Sequence, residues 1–486
     1  MTEETLELVN LFKTVVDGGY CIGCGACASV NNSPIKMKLD EYEQFKATLA
    51  PYTNHSSLNT SVLAVCPFSD KSLNEDQISQ ELFSKNCEYH NKIGYYLATY
   101  AGYISEDDFR ARGSSGGFVS WIATQLINEK LVDGVIHIHQ RHPTEEDSRL
   151  FKYDLSLTEE DIRSGAKSRY YPVEMSKVMQ LIRDRPGRYA IVGIPCFIKA
   201  VRLLMRQDTV IAERIKFCIG LVCGHLKSTA FAKAFAWQSG IEPNNITSID
   251  FRKKLPNAPA NQYGVEVMGI KDGKSITLTS PVRDFYVREW GLGFFKYKAC
   301  DYCDDVVAET ADISIGDAWL PQYTKDSQGT NVVVVRNPVL YHLLEQAKIS
   351  GRLRLEVLDP EEVVKSQAAG FRHRHDGLAY RLFLTDNKGE WRPLKRVKPE
   401  ANHLDKTLQK RFSLRTLIAE QSHIAFNNAM KIGQFSVFEE IMNPLIQQYR
   451  ATYIPLKLPI WKRALRRLKN LFLQSFGKWS SRLMNS

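Results

Sequence analysis

"RYAIVGIPCFIKAVRLLMRQ", residues 188–207, decides the fold. A short apolar β-type run ends in Gly-Ile-Pro-Cys, and an apolar run of helical period follows at once. The same order recurs on both sides. Upstream, "GYYLATYAGYI" reads as a strand, "SSGG" opens the helical run "FVSWIATQLINEK", and "LVDGVIHIH" follows as a strand. Downstream, "RIKFCIGLVCG" precedes the helical "STAFAKAFAWQSG". Such alternation predicts an α/β domain with a largely parallel sheet. A β-rich stretch follows ("SIDFRKK", "YGVEVMGI", "KSITLTS", "DISIGDAW", "TNVVVVRN"), and helices dominate beyond about residue 340.

The chain has 486 residues, 44% hydrophobic and 24% charged, which is globular composition and too long for one ordinary core. Its start, "MTEETLELVN", lacks a secretory signal, and no apolar run approaches a membrane span. The expectation is a cytoplasmic protein whose ten cysteines serve as metal ligands or redox groups rather than disulfides. Of the net charge of +10, eight units fall between Lys457 and the C-terminus without one acid, which leaves +2 for the rest.

Cys21, Cys24 and Cys27 in "CIGCGACASV" have the C-x2-C-x2-C spacing of bacterial ferredoxins. The Cys-Pro that normally follows is Cys66-Pro67, after a long insertion. Three thiolates on one loop reach three corners of a cubane if the backbone curls around it, which Gly23 and Gly25 allow. The fourth ligand need not be local, because loop-closure entropy grows slowly with length. Zinc is the alternative, but structural zinc favours paired two-ligand knuckles. Four further cysteines form a second set. Cys196 and Cys223 stand at strand ends, on the rim where parallel sheets bind ligands, and Cys300 and Cys303 form a C-x2-C. Taken alone, these read equally as a four-thiolate site or as buried small residues beside half a zinc knuckle.

The stretches at 112–136, 164–172, 192–204, 220–225, 297–305 and 311–319 together resemble the beta subunits of coenzyme F420-reducing hydrogenases and their relatives, which include the F420-dependent formate dehydrogenase beta subunit and hydroxymethyl chlorophyll a reductase. The resemblance spans about residues 95–375, behind a ferredoxin-like head. It implies an oxidoreductase with FAD and two 4Fe–4S clusters, held by Cys21, Cys24, Cys27 and Cys66 and by Cys196, Cys223, Cys300 and Cys303. Electrons would come from a ferredoxin or a partner subunit. A substrate in surface-polysaccharide or cell-envelope metabolism is one expectation; a non-catalytic electron-transfer or scaffold subunit is the alternative. Coenzyme F420 itself is left open.

No G-x-G-x-x-G follows a strand, so an ordinary Rossmann site is not expected. "RGSSGG" (112–117) can do the equivalent work: Gly116 and Gly117 let a phosphate approach the backbone, Ser114 and Ser115 offer hydroxyls, and the helix start favours an anion. Its bland reading is a serine N-cap. Lys167 and Arg169 are candidate diphosphate partners. Asp312 and Asp317 are candidates for orienting the flavin or relaying a proton, and His225 for a bond near a cluster.

The expected architecture is a ferredoxin-like iron–sulfur domain (1–92), an α/β flavin and iron–sulfur domain (93–384) and a helical basic extension (385–486), with 385–412 as a linker. Residues 458–482 combine a Trp–Leu–Phe stripe with basic residues. They are expected to form a helix on an anionic membrane surface, so the chain would be cytoplasmic and peripheral at the inner face. Nucleic acid is not expected as a partner.

Overall fold

A computed structural model describes residues 3–50, 61–144 and 146–454. The helix expected over 458–482 lies outside the described residues. Among those described, no helix is long and apolar enough to cross a membrane.

An eight-stranded sheet organises the chain. From one edge its order is Leu353–Val357, Ala98–Ile104, Asn331–Val335, Ile313–Asp317, Ile215–Leu221, Tyr189–Gly193, Gly134–Gln140 and Phe151–Ser156. The strands at 134–140, 189–193, 215–221 and 313–317 form a parallel centre. Strand 331–335 runs against this centre, and 98–104 turns back to its direction. The two edge strands, 353–357 and 151–156, are antiparallel to their neighbours. Five of eight strands therefore point one way, and the α/β class is the one the strand–helix alternation predicts.

Both faces of the sheet are covered, which is why its central strands read as continuous apolar runs. Helices Phe118–Asn128 and Pro338–Ile349 cover one face, where Trp121, Leu126 and Leu344 meet Val135, Ala190 and Ile219. Helix Pro195–Gln207 lies on the other and places Phe197, Ile198, Val201 and Leu204 in a larger core. That core also holds Leu11, Tyr20 and Ile22 of the N-terminal head, and Phe426, Phe438 and Met442 of the helices Lys406–Ile432 and Phe435–Ala451. Head, sheet and C-terminal helices thus share one hydrophobic core.

The segment expected as a linker is instead a strap. After helix Asp376–Asn387 the chain crosses the head. Tyr20 donates its hydroxyl to the Trp391 carbonyl, and Leu394 N–H donates to Asp70 Oδ1 at 2.7 Å. Arg396 donates to Asp76 Oδ1 at 2.7 Å and to Glu309 Oε2 at 2.8 Å. Its basic composition resembles a solvated linker, but its charges are matched to acids of the head and of the 304–309 loop.

Candidate functional site

The loop at 21–27 curls as its glycines require. Gly23 and Gly25 have φ of +70° and +84°, a region L side chains rarely adopt. A Cβ at Gly23 would stand 2.5 Å from the Phe45 carbonyl oxygen, and one at Gly25 would stand 3.0 Å from the Ser176 amide nitrogen. The loop is tied to the body where Met175 N–H donates to the Cys24 carbonyl at 2.9 Å. Cys21, Cys24, Cys27 and Cys66 surround one cavity with about 370 Å³ of empty space, part of it open to solvent. Its other walls are mainly apolar, among them Leu11, Val15, Ile22, Met37 and Phe68. The thiols influence one another's ionisation, Cys27 through all three of the others. Burial pushes the Cys66 thiol up to about 12, so four adjacent thiolates there require cationic compensation.

The sheet rim gathers the second group. Cys196 follows strand 189–193 at the start of helix Pro195–Gln207, and Cys223 follows strand 215–221. Cys300 and Cys303 come from a short 3₁₀ turn, Lys298–Tyr302, and the residue after it. Cys196 is influenced by Cys303, Cys223 and Cys300, and also by Cys24 of the head. The two groups therefore adjoin. Burial raises Cys300 to about 12 and Cys303 to about 11. Leu226 N–H donates to Cys300 Sγ at 3.2 Å.

Arg374, 2% exposed, faces Cys303, Cys223 and Cys300. It donates to the carbonyls of Cys223 (2.5 Å), Asp305 (2.7 Å) and Gly224 (3.0 Å) and has no carboxylate partner among the described residues. Lys395, on the strap, also bears on Cys303. Sequence reading missed both, because each arrives from a distant helix or strap and carries no local motif.

Among the described residues, no three His, Cys, Asp or Glu side chains are drawn together as the shell of a single metal ion. Thiolates around a tetrahedral zinc sit about 2.3 Å from the ion; a cubane needs a wider cage. The head has four thiols around an apolar cavity, and the rim has a second thiol group facing a buried arginine.

An aromatic pocket lies beside the second group. Tyr170, Phe231, Phe235, Phe251, Tyr263, Val282, Arg288 and Trp290 line a recess with about 230 Å³ of empty space, part of it open to solvent. His225 stacks on Trp290 (centroids 4.1 Å, planes 21° apart), two residues beyond Cys223. Its Nε2 is buried without a partner, and burial together with Lys227 holds the imidazole neutral.

Tyr170 of the pocket stands two residues after Ser168, which meets the 112–117 loop. Tyr170 lies 4.9 Å from Trp290, ring to ring, and Ser168 N–H donates to Ser114 Oγ at 2.9 Å. The helix cap is Gly117 (φ +91°) with no side-chain cap, so the serines are not N-caps. Ser115 donates to the Thr330 carbonyl at 3.1 Å. A Cβ at Gly116 would meet Asn331 Oδ1 at 2.7 Å, so only glycine fits. Lys167 pairs with Asp250 at 2.9 Å. Arg169 is not a solvated surface charge: burial pulls it down to about 10, and its Nε has no partner.

Two expected candidates prove structural. Asp312 accepts from Arg202 (2.8 Å), Cys218 N–H (2.7 Å) and Asn337 (3.1 Å), which commits its carboxylate to tying helix to sheet. Asp317 accepts from Arg252 at 2.5 Å. Cys218 is fully buried in its strand, and Cys87 donates to the Arg336 carbonyl, so neither joins a thiol group.

A parallel sheet rim with gathered thiols, beside an aromatic pocket and a glycine–serine loop among cations, defines a redox protein. Residues 99–180 match the N-terminal region of the coenzyme F420 hydrogenase/dehydrogenase beta subunit, and residues 187–361 match its C-terminal region. The two matches cover more than half of the chain. The chain is 24% identical over 377 residues to an uncharacterised protein of Methanocaldococcus jannaschii, covering 73% of this chain and 94% of that one. It is 24% identical over 249 residues to a coenzyme F420 hydrogenase subunit beta of Methanococcus voltae, covering 49% and 80%. A chain of the F420-reducing [NiFe] hydrogenase complex of Methanosarcina barkeri aligns at 16% identity with a TM-score of 0.46, covering 63% of this chain and 98% of that one. The protein belongs to the coenzyme F420 hydrogenase/dehydrogenase beta subunit family, and it is an oxidoreductase by that kinship.

Proposed function

We propose that the chain is an iron–sulfur flavoprotein oxidoreductase that accepts single electrons at its head and delivers them in pairs to a substrate. The observation that carries the reading is the adjacency of the two four-thiol groups and the aromatic pocket beside the second. Cys21, Cys24, Cys27 and Cys66 would hold one 4Fe–4S cluster, and Cys196, Cys223, Cys300 and Cys303 the other. The 112–117 loop with Lys167 and Arg169 would hold the FAD diphosphate, and the aromatic pocket would hold its ring. When bound, clusters supply one-electron transfer and flavin supplies the change to two-electron chemistry.

The chain's own residues do the rest. Arg374 and Lys395 offset thiolate charge, Trp290 and His225 separate the second thiol group from the pocket, and the aromatic walls exclude water. A ferredoxin or a partner subunit would dock near the half-buried Cys21. Kinship with a protein named for coenzyme F420 makes a deazaflavin the first hydride acceptor to try.

Anaerobic purification of the full chain is expected to give about eight iron and eight acid-labile sulfide per chain, with extractable FAD. A colourless protein holding zinc contradicts the proposal.

A further inference from the structure

Two lysines flank the half-buried thiol of the 21–27 loop. Lys46 donates to the Cys21 carbonyl at 3.3 Å, and Lys298 donates to the Gly18 carbonyl at 2.8 Å, with its ammonium 4.7 Å from the centre of the Tyr20 ring. Cys24 and Cys27 are buried, so Cys21 is where the loop meets the surface. Strand Phe45–Leu49 pairs antiparallel with Ile35–Leu39, in a register that sets Lys46 directly opposite Lys38. Lys36 lies two residues along on the same face, and both Lys36 and Lys38 are exposed. The alternate residues Met37 and Ala47 line the head cavity, so the lysine face points outward. Like charges directly opposite one another destabilise a strand pair. None of these four lysines has an ion-pair partner among the described residues. The acids nearby are committed or stand off. Asp40 Oδ1 accepts from the Tyr42 and Gln44 amides, both at 2.9 Å, and Glu43 holds Thr229 and Lys233. Glu390 pairs with Lys388, and it and Glu420 bear on Lys298 from beyond ion-pair distance. Asp17 and Glu41 form no ion pair with the four lysines.

We propose that Lys36, Lys38, Lys46 and Lys298 form the docking face for an acidic one-electron carrier protein, whose carboxylates match these charges and bring its redox centre up to Cys21. The proposal rests on the electron-entry role given to the head above. On docking, one electron leaves the reduced carrier and enters the head; the carrier is oxidised, and no bond or proton is exchanged. Complementary charge of this kind raises association rates by about 10- to 1,000-fold and is screened by salt. Lys46 and Lys298 stand on either side of the thiol loop, and Lys36 and Lys38 extend the face along the hairpin. A small cationic reductant needs no such face, so it reads the head without the docking step.

The test uses the full-length protein and an acidic two-cluster bacterial ferredoxin as the probe. Carbodiimide, which joins a carboxylate to a lysine amine, reads docking alone; anaerobic stopped-flow bleaching of the iron absorbance reads electron entry, with methyl viologen radical as the small reductant. Crosslinks to the oxidised ferredoxin are expected at Lys36, Lys38, Lys46 or Lys298, and to vanish at about 0.5 M salt. Reduction by ferredoxin is expected to slow at least tenfold over the same rise in salt. The triple variant Lys38→Gln, Lys46→Gln, Lys298→Gln is expected to lose the crosslinks and to be reduced by ferredoxin at least tenfold more slowly at low salt, with viologen reduction unchanged. If the variant loses its iron, the crosslink map of the wild type carries the test. Crosslinks confined to other lysines, those beyond residue 456 included, or a triple variant within twofold of wild type, overturn the proposal and leave the iron–sulfur reading standing. A wild type without iron that still crosslinks at these lysines overturns the iron–sulfur reading and keeps the docking face. A wild type with neither iron nor crosslinks overturns both.

Discussion

Alanine at Cys196 is expected to remove about half of the protein-bound iron while the chain stays folded. Cys196 is one of four thiols at the sheet rim, and a cubane needs four ligands. The side chain is half-buried at a helix start, where alanine fits without strain. The head group keeps all four of its thiols, and only the second site is emptied. Cys218→Ala is the control, because Cys218 lies in the neighbouring strand outside both groups. It should lose a little stability and no iron. Iron and sulfide analysis of both variants decides: unchanged iron in Cys196→Ala, or loss of all of it, speaks against two separate clusters.

The largest loss of stability is expected at Arg374. Replacing it by methionine removes the donor of the Cys223, Gly224 and Asp305 carbonyls and a buried arginine that faces three thiols of the rim group. Each stranded buried acceptor costs about 1–3 kcal/mol, and removing one partner of a buried charged set costs about 3–5 kcal/mol. Arg374→Met should therefore unfold at clearly lower temperature and lose iron from the rim group first. Lysine at this position keeps the charge without the fork and should fall between. Thermal unfolding of the metal-loaded proteins, with iron measured on the folded fraction, checks this; wild-type behaviour of Arg374→Met contradicts it.

The sheet and its thiols were legible because both write local patterns. Strand–helix alternation marks "RYAIVGIPC" and its neighbours, and a cysteine just past a parallel strand is on the rim by construction. The 21–27 loop was legible through spacing and two glycines that the backbone needs at positive φ. What escaped was carried by tertiary packing. Arg374 lies in the helix Ala368–Arg374, some 150 residues from the Cys223 carbonyl it serves, and no local signal marks it. The 385–412 stretch looked like a linker because composition cannot show that Arg396 meets Asp76 and Glu309. Asp312 looked catalytic beside a strand, yet three donors consume it.

The central claim is that two four-thiolate clusters lie side by side, the head group reaching the rim group through Cys24 and Cys196. Electron paramagnetic resonance of the anaerobically purified full-length protein after full reduction tests it most directly. Two 4Fe–4S signals broadened by mutual magnetic coupling, which collapse to one uncoupled signal in Cys196→Ala, are the predicted result. A single uncoupled signal in the wild type, or a protein with no paramagnetic iron, would contradict it.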